Sequence, residues 1–144
     1  MEATVRWTGM MQFVGISGSS HAVVLDTGPD HGGADTAATP MELLLTALAG
    51  CTGMDVVSLL KKMRVNFTGL EIKAKGERRD EHPRIFTSIE LEYVVYGNGV
   101  DRAAVQRAVE LSQEKYCSVR AMLRSDCPVR FRVEIIENAG ESNA

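Results

Sequence analysis

The chain has no large basic cluster: 16 Lys and Arg stand against 19 Asp and Glu, a formal net charge of -3. This argues against a nucleic-acid partner, whose phosphates demand a positive face. A basic start followed by an apolar run is also missing, because Met1 leads straight into charged and polar alternation. The expectation is a cytoplasmic protein without a secretory signal. Histidine is scarce, and His21, His31 and His82 have neither an i, i+4 partner nor a cysteine at ligand spacing, so no metal site is expected. Three cysteines, an odd count without secretory signs, point to thiol chemistry before a disulfide framework. There is no internal repeat and no linker. The 144 residues read as one domain over residues 1–137, with a polar tail at 138–144 expected to fray.

What the chain does have is one long stretch, Thr39 to Arg64, TPMELLLTALAGCTGMDVVSLLKKMR. Thr39 and Glu42 have capping-box spacing, and Pro40 falls at the first helical position. Lys61, Lys62 and Arg64 sit where the helix dipole ends negative. Between Leu43 and Leu60 the only charge is Asp55. Those 18 residues reach the length of a membrane span. Asp55, the hydroxyls of Thr46, Thr52 and Ser58, and sheet-like surroundings favour a buried central helix and no membrane. A helix apolar on nearly every side needs cover all round. The strands of one chain supply about half of it, so a second subunit is expected to supply the rest.

Short runs over Ala3–Gly9, Met10–Ile16 and Ser20–Asp26 read as a meander, and residues 27–38 as a turn-rich loop leading to Thr39. Beyond the helix, Leu70, Ile72 and Ala74 alternate with charged residues, and Ile85, Thr87, Ile89, Leu91, Tyr93 and Val95 form the matching face of a second strand. The charged ERRDEHPR between them is a hairpin connection with a solvated tip. Asp101 is the expected N-cap of a helix through Lys115 with Val105, Ala108, Val109 and Ser112 on one side. Ser118–Arg124 is a further helical turn or two, and Val129 to Ile135 a last strand. The class is α+β.

Cys51 lies mid-helix on one stripe with Leu44 and Leu48. There a small buried hydrophobe competes with a reactive thiol, which would need a cation or donor from elsewhere. Cys117 follows one helix and opens another, so backbone N–H groups favour its thiolate. Cys127, before Pro128, reads as structural.

PMELLLTALAGCTGMDVVSLLKKM, followed 66 residues after its cysteine by KYCSVRAML, resembles the OsmC/Ohr family of thiol peroxidases, and more closely its YhfA-like branch. The likeness extends over nearly the whole chain. It implies an intertwined homodimer, two sheets wrapped around paired central helices. It also implies reduction of organic hydroperoxides through a Cys51 sulfenic acid and a Cys51–Cys117 disulfide, with an external dithiol, lipoyl-type in Ohr members, as reductant. No cofactor is implied. Peroxidase members open on Pro-Glu, with that glutamate held by an arginine beside the thiol; here its place is Met41, Glu42 aligns with the next residue, and no arginine aligns. The usual Cys-Pro-Val-Ser is Cys117-Ser118-Val119-Arg120, and Cys127-Pro128-Val129 is a literal match followed by strand alternation. His21 matches a histidine of the YhfA-like branch and is a candidate pocket residue. Asp55 is a candidate partner for an arginine of a second subunit, and Arg120 or Arg124 a candidate for the missing cation. The rival reading is a non-catalytic or redox-sensing dimer whose apolar crevice holds a small molecule.

Overall fold

The computed structural model describes residues 1–138, so most of the expected tail, residues 139–144, lies outside the described residues. Asn138, its first residue, donates an amide hydrogen bond to Thr68 Oγ1 (3.0 Å). Among the described residues, those up to Leu44 form one compact unit and those from Leu45 onward a second.

The first unit is the expected meander: β1 (Ala3–Gly9), β2 (Gln12–Ser17) and β3 (Ala22–Leu25) pair antiparallel in chain order. After it the chain folds around Asp26, whose buried carboxylate accepts from the N–H groups of Thr27 (2.8 Å), Ala34 (3.3 Å) and Thr36 (3.1 Å) and from the Thr36 hydroxyl. Gly33 is fixed by this arrangement, since a Cβ there would stand 1.9 Å from the Thr27 carbonyl oxygen. The hydroxyl of Thr36 and the N–H of Thr27 lead the interactions that hold Asp26 down at about 2, against 3.8 for an ordinary aspartate. A carboxylate depressed on folding contributes stability above its unfolded pKa and loses it as pH falls through the folded value. Amide exchange protection at Ala34 and Thr36 is therefore expected to persist at pH 4 and to collapse near pH 2. Protection unchanged across that window would remove Asp26 as the organiser of the loop.

Helix α1 (Pro40–Lys62) starts on the predicted capping box. Glu42 Oε2 accepts from the Thr39 N–H (2.7 Å) and hydroxyl (3.0 Å), and the Thr39 hydroxyl accepts from the Glu42 N–H (3.3 Å). These bonds from Thr39, the backbone one foremost, lower the Glu42 pKa. The helix ends in a Schellman motif: Val65 N–H reaches the Leu60 carbonyl (3.0 Å), Arg64 N–H that of Lys61 (3.1 Å), and Arg64 takes the left-handed φ of 58°.

In the second unit β4 (Gly69–Arg78) and β5 (Phe86–Tyr96) are antiparallel, while β6 (Val129–Ile136) runs parallel to β5. Parallel neighbours need a crossover. Here it consists of α2 (Arg102–Leu111), a π turn (Ser112–Tyr116) and α3 (Ser118–Met122). Asp101 caps α2 through Ala103 N–H (2.9 Å), and the predicted face of Val105, Ala108, Val109 and Ser112 is fully buried. One strand detail departs from the reading. A register shift beside Thr87 leaves that residue exposed and puts Phe86 in the core, so the inward alternation holds only from Ile89 onward. The connection is the expected solvated tip, exposed from Glu77 to Arg84, and Arg78, Arg79 and Arg84 each donate an Nε–H to a carbonyl within it, of Arg84, Pro83 and Asp80.

α1 is long and apolar enough to cross a membrane by length and composition alone. Its buried stripe, Leu48, Thr52, Val56 and Leu60, recurs every four residues, and Thr52 is hydrogen-bonded to the sheet and crossover. That stripe packs against the sheet and crossover of the second unit. Ala47, Gly50, Met54 and Ser58 form an exposed stripe, Met54 at 77% exposure. The reading that one chain covers only part of this helix agrees with that.

Candidate active site

Cys51 and Asp55 are four residues apart on α1 and so share a face. Cys117 reaches them by way of the π turn. In a regular α-helix a residue five positions on is displaced about 140° around the axis. The i to i−5 bond from Cys117 N–H to the Ser112 carbonyl (2.8 Å) widens the turn and sets Cys117 over the fully buried Ser112. The outcome is that the Cys51 sulfur, the Cys117 sulfur and an Asp55 carboxylate oxygen all lie within 4.8 Å of one another. All three cysteines are free thiols; Cys51 is half-buried, whereas Cys117 and Cys127 are buried.

Around this trio the polar groups are linked. Ser112 Oγ donates to Asp55 Oδ2 (2.9 Å) and is hydrogen-bonded to Thr52 Oγ1 (2.7 Å), which in turn is bonded to the Tyr93 hydroxyl (2.7 Å). Gln113 Nε2 donates to both the Tyr93 hydroxyl (2.8 Å) and Thr52 Oγ1 (3.1 Å). Burial pushes the Tyr93 hydroxyl up to about 12, so it stays neutral. Among the described residues Gln113 Oε1 is a buried side-chain oxygen without a hydrogen-bond partner.

Cys117 does cap α3, accepting at its sulfur from the Arg120 N–H (3.4 Å), but the expectation that this favours its thiolate is corrected. Desolvation outweighs the donor, and the neighbouring Cys51 and Asp55 add to it, so the thiol is pushed up to about 11. One N–H at the start of a five-residue helix does not replace lost water around the sulfur of a residue that is 4% exposed.

The remaining predicted residues fall as follows. Arg120 reaches Cys117 with its backbone N–H. Arg124 is committed to Asp126 through two bonds of 2.8 Å, which removes it as the thiol's cation. Asp55, expected to wait for an arginine of a second subunit, has a donor from its own chain in Ser112. His21, Met41 and Glu42 belong to the first unit. There the His21 ring is bonded to the Ser19 hydroxyl (2.9 Å), and Glu42 makes the cap described above. Sequence reasoning missed Ser112, Tyr93 and Gln113 as site residues. Their one visible signal was polar groups inside otherwise apolar faces.

A family model described as OsmC-like protein matches residues 32–132. Protein YhfA of Escherichia coli strain K12, a name that assigns no activity, is 42% identical over 136 residues, 94% of this chain and 98% of its own. A hypothetical protein from Aquifex aeolicus VF5, known as a crystal structure, is 33% identical with a TM-score of 0.78, covering 94% of this chain and 97% of that one. An organic hydroperoxide resistance protein from Elizabethkingia anophelis shares the fold at 20% identity, with a TM-score of 0.72 over 93% of this chain and 94% of its own. With its long helix, its two three-stranded sheets and a family match across most of its length, the chain belongs to the OsmC-like family.

Proposed function

We propose that this chain is a cysteine-based peroxidase that reduces organic hydroperoxides. The observation that carries the reading is the pair of sulfurs, remote in sequence, within 4.8 Å of each other. Their environments divide the roles. Cys51 is half-buried and open to a substrate, while Cys117 is buried and, with its thiol pushed up to about 11, is held protonated at neutral pH. Cys51 therefore acts first. Its thiolate takes the terminal OH of the hydroperoxide, the O–O bond breaks, and the leaving alkoxide takes a proton from water to become the alcohol, giving Cys51 sulfenic acid. Cys117 then attacks that sulfur; its proton and the sulfenic hydroxyl leave as water and the disulfide forms. A disulfide is about 2.05 Å long, so the sulfurs need approach by at most about 2.8 Å. An external dithiol, oxidised in its turn, returns both thiols.

The working unit in this proposal is a homodimer in the cytoplasm. Supporting it, the exposed stripe of α1 is apolar at Met54, and a Cβ added to Gly50 would meet nothing of its own chain within 4 Å. Sedimentation at twice the chain mass checks it.

The experiment is a thiol count. Reduced protein mixed with cumene hydroperoxide is expected to lose two thiols per chain, retain Cys127, and yield a Cys51–Cys117 peptide pair by mass spectrometry. Retention of all three thiols under excess peroxide would overturn the peroxidase and leave a dimer that binds small apolar molecules.

A further inference from the structure

The same three groups that could run a redox cycle also form a ligand set, two sulfurs and a carboxylate oxygen, all within 4.8 Å. We propose that the reduced protein binds one Zn²⁺ per chain through Cys51 Sγ, Cys117 Sγ and Asp55, with a fourth position open to water. This goes beyond the peroxidase reading and does not depend on it.

The geometry is close to what zinc requires. Zn–S distances of about 2.3 Å and Zn–O of about 2.0–2.2 Å in a tetrahedral site put ligand atoms about 3.4–3.8 Å apart. From separations of no more than 4.8 Å, rotamer adjustments suffice. Two ligands stand one turn apart on a single rigid helix, and the third is placed by the π turn. The carboxylate is already oriented, because Ser112 Oγ donates to Asp55 Oδ2 (2.9 Å) and is itself held by the buried Thr52. An outer partner of this kind is characteristic of metal sites and affects affinity as strongly as about ten- to a hundredfold. Thiolate sulfur selects zinc over magnesium or calcium, which take oxygen. The half-exposure of Cys51 and Asp55 gives an ion a way in. On binding, each thiol gives its proton to the solvent and its sulfur forms a bond to the metal; no electron is transferred.

The test uses tag-free full-length protein, reduced and kept free of oxygen, titrated with zinc chloride against a chromophoric chelator and separately with cobalt chloride. One equivalent of zinc is expected, and the cobalt form should show thiolate-to-metal charge-transfer bands. Cys51→Ser and Cys117→Ser should each remove about half of that absorption, and Ser112→Ala should weaken zinc by about ten- to a hundredfold, with circular dichroism confirming that each variant is folded. Zinc uptake that survives intact in both cysteine variants, a cobalt spectrum without thiolate bands, or no uptake at all would overturn the site. No hydroperoxide enters these measurements, so failure here leaves the peroxidase untouched, and failure of the thiol count leaves the zinc site standing.

Discussion

Replacing Cys51 by serine is expected to lower the rate of cumene hydroperoxide consumption by at least about a thousandfold, the scale on which loss of a nucleophile usually registers. The two sulfurs are not equivalent, and that asymmetry makes the paired experiment informative. Cys117→Ser should keep the first chemical step, releasing one equivalent of alcohol per chain and leaving a sulfenic acid on Cys51 that dimedone captures. Turnover with a dithiol should then slow, because the sulfenic acid has to wait for an external thiol in place of Cys117. In the wild type, disulfide closure should quicken as pH rises through neutrality toward about 11, since burial, reinforced by Cys51 and Asp55, keeps the attacking thiol protonated below that value and only the thiolate attacks. Dimedone on Cys117 in place of Cys51, or equal losses in the two variants with no trapped intermediate, would reverse or remove the assignment.

What could be read without coordinates was whatever is decided within a few residues. The Thr39–Glu42 box, the Asp101 cap and the buried face of α2 depend on spacing along one helix, and each is where the spacing puts it. Phe86 escaped because one extra residue in a strand reverses every side chain before it, and hydrophobicity alone does not announce a bulge. Cys117 was brought to the right neighbourhood by the family resemblance and given the wrong electrostatics by local reasoning. A helix start is visible in sequence, while the removal of water around the sulfur and the approach of Asp55 are products of packing. The hydroxyl of Thr52 served only as an argument against a membrane span, yet it ties α1 to β5 and to the crossover. Its partners are 41, 60 and 61 residues away, beyond any periodicity.

That hydroxyl is the place where stability and chemistry meet, and Thr52→Val is expected to show it. Valine has nearly the shape of threonine, so no cavity opens, and what is lost is a fully buried oxygen bonded to the Tyr93 hydroxyl, Ser112 Oγ and Gln113 Nε2. Ser112 still donates to Asp55 and Gln113 still donates to Tyr93, but the Tyr93 hydroxyl proton is stranded, because with the Ser112 proton on Asp55 the Thr52 hydroxyl donates to Ser112 and accepts from Tyr93. The cost should accordingly be about 1–3 kcal/mol, a fall of several degrees in Tm for a chain of this size. Tyr93→Phe removes the opposite end of one bond, and the double variant should cost less than the sum of the singles by about 0.5–3 kcal/mol. Because Ser112 carries both Asp55 and the turn that seats Cys117, the loss should also slow formation of the Cys51–Cys117 disulfide in the folded protein. A Thr52→Val protein as stable as the parent, or additive with Tyr93→Phe, would mean that the cluster does not hold the site in place.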